Sequence, residues 1–245
     1  MTEASNPIDR PPFSYPSDDD TAYVDHFAGR FSSVYIALNP FLRLPGHPAY
    51  KNGDPVPDSA IQDALKLGPS CAVSWKEIAE LCGFASIRQV NRALGLTGSK
   101  RLAPKYANLD DTNHMLEVCA TQSIYPPDEG CSSPPFELAM GGFAQAAGYD
   151  SLISAGHFGI SPKEIQIADL LGRQYEHGCV ELWAEDKSLY CAIYIDYHYF
   201  LICQTDRSLN LAKPHDYFEG FYADGQTNDF WGVGNFSGNE LPKND

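Results

Sequence analysis

Between Tyr217 and Phe236 the chain reads YFEGFYADGQTNDFWGVGNF, a stretch with seven aromatic residues and four glycines. No lysine or arginine occurs from Pro214 to Pro242, whereas Asp216, Glu219, Asp224, Asp229 and Glu240 are all acidic. Rigid aromatic area among carboxylates suits the gripping of a basic protein: rings anchor an interface, and carboxylates complement cations. On that chemistry Tyr217, Phe218, Phe221, Tyr222 and Trp231 are the candidate aromatic contacts, with Glu219, Asp224 and Asp229 the candidate charges. The competing use of these residues is a hairpin whose rings complete a core, with glycines at turns and bulges. Simple alternation would turn half of the rings inward. Here Phe218 is separated from Phe221 and Tyr222, and Phe230 adjoins Trp231, so both faces carry rings.

A second candidate surface is SWKEIAELCGFASIRQVNRALG, residues 74–95. Ala79 permits close packing, Gly83 makes a turn, and Val90 and Leu94 anchor a following helix, the pattern of a helix-turn-helix. In that geometry Arg88, Gln89, Asn91 and Arg92 would face a DNA groove. An ordinary helical hairpin has the same pattern. Residues 75–105 hold six basic and two acidic residues, a net of +4, but the whole chain carries −15. Such a balance opposes a duplex or an anionic membrane and attracts a basic protein. Nucleic acid and membrane are therefore the disfavoured partners, and DNA binding by residues 74–105 is the alternative reading.

Catalytic and metal chemistry lack a pattern. There is no GxSxG elbow, no Cys/His nucleophile signature, no phosphate-binding loop and no dinucleotide fingerprint. His177 with Cys179, and His114 with Cys119, have no second ligand pair at zinc spacing. Asp196-Tyr197-His198 is polar enough for acid/base work but falls where a hairpin turn is expected. No catalytic residue, metal or cofactor is assigned, and a non-enzymatic role is expected.

The elements that must carry these residues divide by texture. Residues 1–25, with four prolines and six carboxylates against Arg10 alone, read as a flexible acidic arm, anchored by Phe13 and Tyr15. Residues 26–175 read as mainly helical. Phe27, Phe31, Val34, Tyr35 and Leu38 recur at helical spacing until Pro40. Asp58 opens a helix, Ser74 and Glu77 stand at capping-box spacing, and Thr112–Thr121 and Phe136–Ala147 complete the helical series. Ser161, Pro162 and Glu164 open a further helix through Leu171. Residues 176–245 read as antiparallel β: Val180–Ala184, Leu189–Ile195 and Tyr199–Thr205 are rich in β-branched and aromatic residues, and Asp224-Gly225 would turn another hairpin. The fold class is α+β, a helical N-terminal part followed by an antiparallel C-terminal part. Residues 174–242 hold eleven acidic and three basic residues, a net of −8, so the aromatic–glycine stretch crowns the acidic end.

Seven scattered cysteines without a CxxC pair point to a reducing compartment. No apolar run is long enough to span a membrane, and the first thirty residues lack a signal-peptide core. A cytoplasmic location is expected.

The segment YFEGFYADGQTNDFWGVG resembles the EAGR box, a short module enriched in aromatic and glycine residues. Together with the acidic chain around it, it resembles immunity proteins of bacterial type VI secretion, in particular one directed against a nuclease effector. The resemblance implies an antitoxin role: binding a cognate toxin, a basic nuclease, and blocking it. It transfers no individual binding residue. Residues 74–95 also resemble the DNA-binding segment of alkylguanine-DNA methyltransferases, whose Pro-Cys-His-Arg motif is absent downstream. The two partner classes separate in a mobility-shift assay with random duplex at low salt. The immunity reading expects no salt-sensitive shift, whereas a shift lost on Arg88→Ala and Arg92→Ala would favour DNA binding.

Overall fold

The computed structural model describes residues 14–16, 21–51, 54, 56–98, 102, 106–172, 178–229 and 231. After a single turn α1 (Tyr23–His26), strands β1 (Ser33–Leu38) and β2 (Phe41–Arg43) lead to helix α2 (Asp58–Leu67). A short β3 (Ala72–Val73) precedes α3 (Trp75–Cys82), α4 (Ile87–Leu94) and α5 (Leu109–Thr121). Then come β4 (Ile124–Tyr125), α6 (Pro134–Ala146), β5 (Ser151–Gly156), β6 (Ile160–Gln166) and α7 (Ile167–Gly172). The chain continues through β7 (Glu181–Trp183), β8 (Leu189–Ile193), β9 (Tyr199–Gln204), α8 (Asp206–Leu211) and β10 (Gly220–Tyr222).

Seven strands form one antiparallel sheet in the order β10-β1-β9-β8-β7-β5-β6, and β3-β2-β4 form a small second one. The fold is therefore α+β, with much of the main sheet contributed by the C-terminal part. Helices cover both of its faces. Val34, Ile36 and Leu38 of β1 point with Tyr199, Leu201 and Cys203 of β9 into a core shared with α3, α4 and α5. The alternate residues Tyr35, Ala37, Phe200 and Ile202 pack on α6 and α7. A third cluster joins α2 to the small sheet through Leu42, Ile61, Ala64 and Tyr125. Strands buried on both faces are apolar at nearly every position, which is why β1, β8 and β9 read as near-continuous hydrophobic runs.

Two helix expectations are corrected, the first by that double burial. The apolar spacing of residues 26–38 fits a helix, yet Ser33–Leu38 is a strand, paired Ile36↔Leu201 and Ile36↔Phe221 with its neighbours. A fully buried strand has no polar face, so its period of two is invisible and any apolar template fits it. Ser161 does not open a helix either: residues 160–166 form edge strand β6, where Pro162 lies, and the helix begins at Ile167. Asp224-Gly225 turns no hairpin, since β10 has β1 as partner and no strand follows it among the described residues. The Ser74 cap holds, its Oγ accepting from Glu77 N at 3.0 Å. Of the two proposed arm anchors, Tyr15 packs against the core, and Phe13 lies outside the described residues. All seven cysteines are free.

The end of β1 is knitted by Asn39, fully buried and fully bonded. Its amide donates to the Cys131 carbonyl at 2.9 Å, its side-chain oxygen accepts from Ser133 N at 3.0 Å, and its own carbonyl accepts from Trp75 Nε1 at 2.7 Å. One buried residue thus ties the end of β1 to the starts of α3 and α6.

Gly220 lies opposite Ala37 in the β1–β10 ladder, so close that an added Cβ would overlap the Ile36 carbonyl oxygen and the Tyr35 ring. Gly220→Ala should destabilise the protein by about 1–3 kcal/mol, read from urea unfolding. An unchanged midpoint would contradict this account of the strand's register.

Candidate functional site

The aromatic–glycine stretch enters the body of the protein immediately after a short 3-10 turn, Pro214–Asp216, and its rings divide between the two faces of the sheet. Phe218 is 7% exposed and meets Phe136 at 4.9 Å and Phe143 at 5.8 Å. Two strand positions on, the chain is held edge to edge with β1, and Phe221 and Trp231 enter the opposite core with ring centroids 5.0 Å apart. Trp231 also contacts Tyr199 at 5.3 Å and Trp75 at 6.3 Å. Asp229, 8% exposed, accepts from Tyr23 Oη at 2.6 Å, and Tyr23 Oη lies 2.8 Å from Tyr199 Oη and 3.3 Å from Tyr15 Oη. Phe218, Phe221, Trp231 and Asp229 are therefore interior residues and are withdrawn from the contact surface. Phe230, Gly232, Gly234 and Phe236 lie outside the described residues.

Glu219 has a structural task as well. Its carboxylate accepts from the Trp75 amide at 2.6 Å and the Lys76 amide at 2.9 Å, so it closes the N-terminus of α3 from across the fold. Burial pushes its pKa up, while those two amides pull it down. Asp224 accepts from Gln226 N at 2.9 Å and Thr227 Oγ1 at 2.8 Å, fixing the turn after β10, and its charge faces Arg88.

Of the eight candidates Tyr217, Tyr222 and Asp224 remain at or near the surface, and Tyr217 stands beside a concavity. Tyr217 is 37% exposed, its ring set edge-on to Phe143 at 5.6 Å. Tyr222 is half-buried, packed on Tyr35 at 5.0 Å and hydrogen-bonded to His215 at 3.1 Å. Next to Tyr217 opens a groove of about 470 Å³ between α6, the 3-10 turn and the segment joining α2 to α3. Leu38, Pro40, Phe136, Leu138 and Phe218 give it apolar walls, and Asp216 and Glu219 stand at its margin. A concavity of this size with apolar walls and few polar groups is the usual form of a binding site. The sequence marked its aromatic edge but missed Asp216 as a site residue and the α6 wall, because α6 lies some eighty residues away along the chain.

Two helices joined by a turn are present, as both the helix-turn-helix and the ordinary hairpin reading expect. Gly83 closes α3 in the left-handed conformation at φ 64°, and α4 follows after Ser86. However, Arg88, Gln89, Asn91 and Arg92 are each half-buried, and Gln89 bonds both the Ala85 amide and Asp111 of α5. Burial lowers the pKa of Arg88. Lys100, Arg101 and Lys105 lie outside the described residues, as does His177.

Asp196 and Tyr197 of the Asp196-Tyr197-His198 triplet lie in the tight turn between β8 and β9, closed by Tyr197 N donating to the Tyr194 carbonyl at 3.0 Å, where the sequence places one. His198 is buried, with Nδ1 3.1 Å from the Pro127 carbonyl and Nε2 3.9 Å from Glu129 Oε1. Among the described residues no group of three or more His, Cys, Asp and Glu could hold a metal ion, and no helix is long and apolar enough to cross a membrane.

Residues 19–233 match the family described as "Protein of unknown function (DUF2711)", and the chain belongs to that family. No curated protein and no solved structure matches it.

Removal of the Glu219 carboxylate by Glu219→Ala should cost about 1–2 kcal/mol of stability, the usual cost of a lost helix cap, in chemical denaturation. A neutral result would show that the first amides of α3 do not need it. Burial lowers the His198 pKa from 6.5 to about 4, against the carbonyls around it that raise it. A base with a depressed folded pKa contributes stability that is present above 6.5 and lost as the pH falls towards about 4. Buried Glu181 and Glu219, both raised, act in the opposite sense just above the ordinary glutamate value of 4.5. His198→Gln should therefore flatten the acid loss of Tm relative to the unsubstituted protein. Identical slopes would show that His198 already titrates normally.

Proposed function

We propose that this chain is an immunity-type binding protein that neutralises a basic antibacterial effector, a secreted nuclease being the partner its chemistry fits best. The observation that carries the reading is the corner at Tyr217: an exposed ring and an exposed carboxylate, Asp216, beside an apolar groove of about 470 Å³. Aromatic anchors in a pocket supply most of the energy of a protein interface, and a rim of carboxylates sets the association rate. Nucleases carry cationic surfaces for their substrate, and a chain of net charge −15 is steered onto such a surface. The resemblance to type VI secretion immunity proteins, including the EAGR-like segment, supports the same role. It would place the protein in the bacterial cytoplasm, acting by occupation and not by catalysis.

Within this reading the contact surface is Tyr217, Asp216, Tyr222 and Asp224, and the buried rings of the same stretch hold it in place. The test is co-expression with the product of the adjacent coding sequence. That product alone should arrest growth, the chain should restore it, and the two should co-elute as a complex. A harmless neighbour, or toxicity that the chain does not relieve, contradicts the reading. Within a working complex Tyr217→Ala should weaken binding by about thirtyfold, on the order of 2 kcal/mol, without loss of folding.

A further inference from the structure

We infer that the groove beside Tyr217 receives an arginine side chain of the partner, its methylene stem along the apolar walls and its guanidinium against Asp216. The inference rests on the binding role proposed above and names what that site holds. The groove's lining combines two chemistries that few ligands satisfy together. Leu38, Pro40, Phe136 and Leu138 present apolar surface to an occupant. Its charged lining residues, Asp216 and Glu219, are both acidic, and no lysine, arginine or histidine is among the residues that line it.

The two carboxylates are not equivalent. Glu219 is engaged by the first amides of α3 at 2.6 and 2.9 Å, so the helix terminus answers its charge. Asp216 is 62% exposed in its side chain, 3.5 Å from His215 Nε2, and is the charge a newcomer would meet. A purely aliphatic ligand would fill the walls and leave that carboxylate to water, and an anion would be repelled by it. A long side chain with an apolar stem and a cationic head meets both demands. Arginine fits better than lysine, because a planar guanidinium stacks on an aromatic ring and pairs a carboxylate through two parallel donors. Tyr217, 37% exposed at the margin next to Asp216, supplies such a ring.

Space for the stem depends on Gly142 of α6. A Cβ there would lie 3.6 Å from Tyr217 Cε1, an ordinary contact, so the absence of a side chain leaves the Tyr217 side of the groove open. Gly142→Ala is thus compatible with the fold and, as alanine, favours the helix.

The experiment is titration of the full-length ¹⁵N-labelled chain, followed by amide shifts, with three blocked tripeptides: acetyl-Gly-Arg-Gly-amide, its citrulline analogue and its norleucine analogue. Citrulline keeps the shape of arginine and removes the charge. The arginine peptide should shift amides at 214–219 and 138–142 and bind about fivefold tighter than either analogue, the scale of one exposed charge pair. Asp216→Asn should lower the arginine peptide to the citrulline level, whereas Glu117→Gln, on the exposed face of α5, should change nothing. Equal affinity for arginine and citrulline, or shifts confined to other elements, would overturn the inference. If an effector is neutralised while the arginine peptide leaves the groove unshifted, the occupant is wrong and the binding role stands. If the peptide seats as described and no effector is neutralised, the occupant stands and the binding role falls.

Discussion

Everything in this fold follows from a sheet covered by helices on both faces. Such a sheet pairs its backbone groups within the ladder and fills its central strands mainly with apolar residues. A polar side chain buried there must find its partner nearby, as Gln204 of β9 does by donating to Ser208 Oγ and the Ala212 carbonyl. β1 is the most constrained element. Its two neighbours, β9 and β10, are distant in sequence from it, and its two faces feed separate cores. Asn39 ends the strand with every polar atom engaged and fixes where α3 and α6 begin.

The aromatic–glycine stretch takes its form from that constraint. As the strand that flanks β1 it must send rings both ways, which is what Phe218 and Phe221 do. Glycine at position 220 lets the two backbones approach. Glu219, between them, reaches sideways to the α3 terminus and so couples the strand to the helical layer. Most of the stretch is therefore a clamp between strand, helix and the tyrosine cluster at Asp229. Among its described residues Tyr217 reaches the surface beside a wall supplied by α6, and after Phe221 Tyr222 lies half-buried and Asp224 exposed.

Much of this was legible in the sequence, for identifiable reasons. The three strands after Gly178 are bounded by polar turns and appear where their composition puts them. The Ser74 cap, the Gly83 stop and the helix over 134–146 rest on local chemistry and are likewise readable. β1 was not legible, because a strand apolar on both sides carries no period. β6 was not, because Ser161, Pro162 and Glu164 imitate a helix start, and only pairing with β5 overrides it. The site was half legible. The divided pattern of rings forecast two faces, but both faces being covered, and the groove itself, arise from contacts between segments far apart in the chain.

The groove thus opens beside Tyr217, at the outward-facing start of the motif. Hydrogen–deuterium exchange of the chain, alone and mixed with the product of the adjacent coding sequence, tests that claim most directly. The account predicts new protection at residues 214–217 and along 138–142 on complex formation. It predicts little change at 220–222, whose amides are already shielded by the β1 ladder and the surrounding core. Protection that appears instead on α4 and α5, with residues 214–217 left exchanging as before, would contradict it.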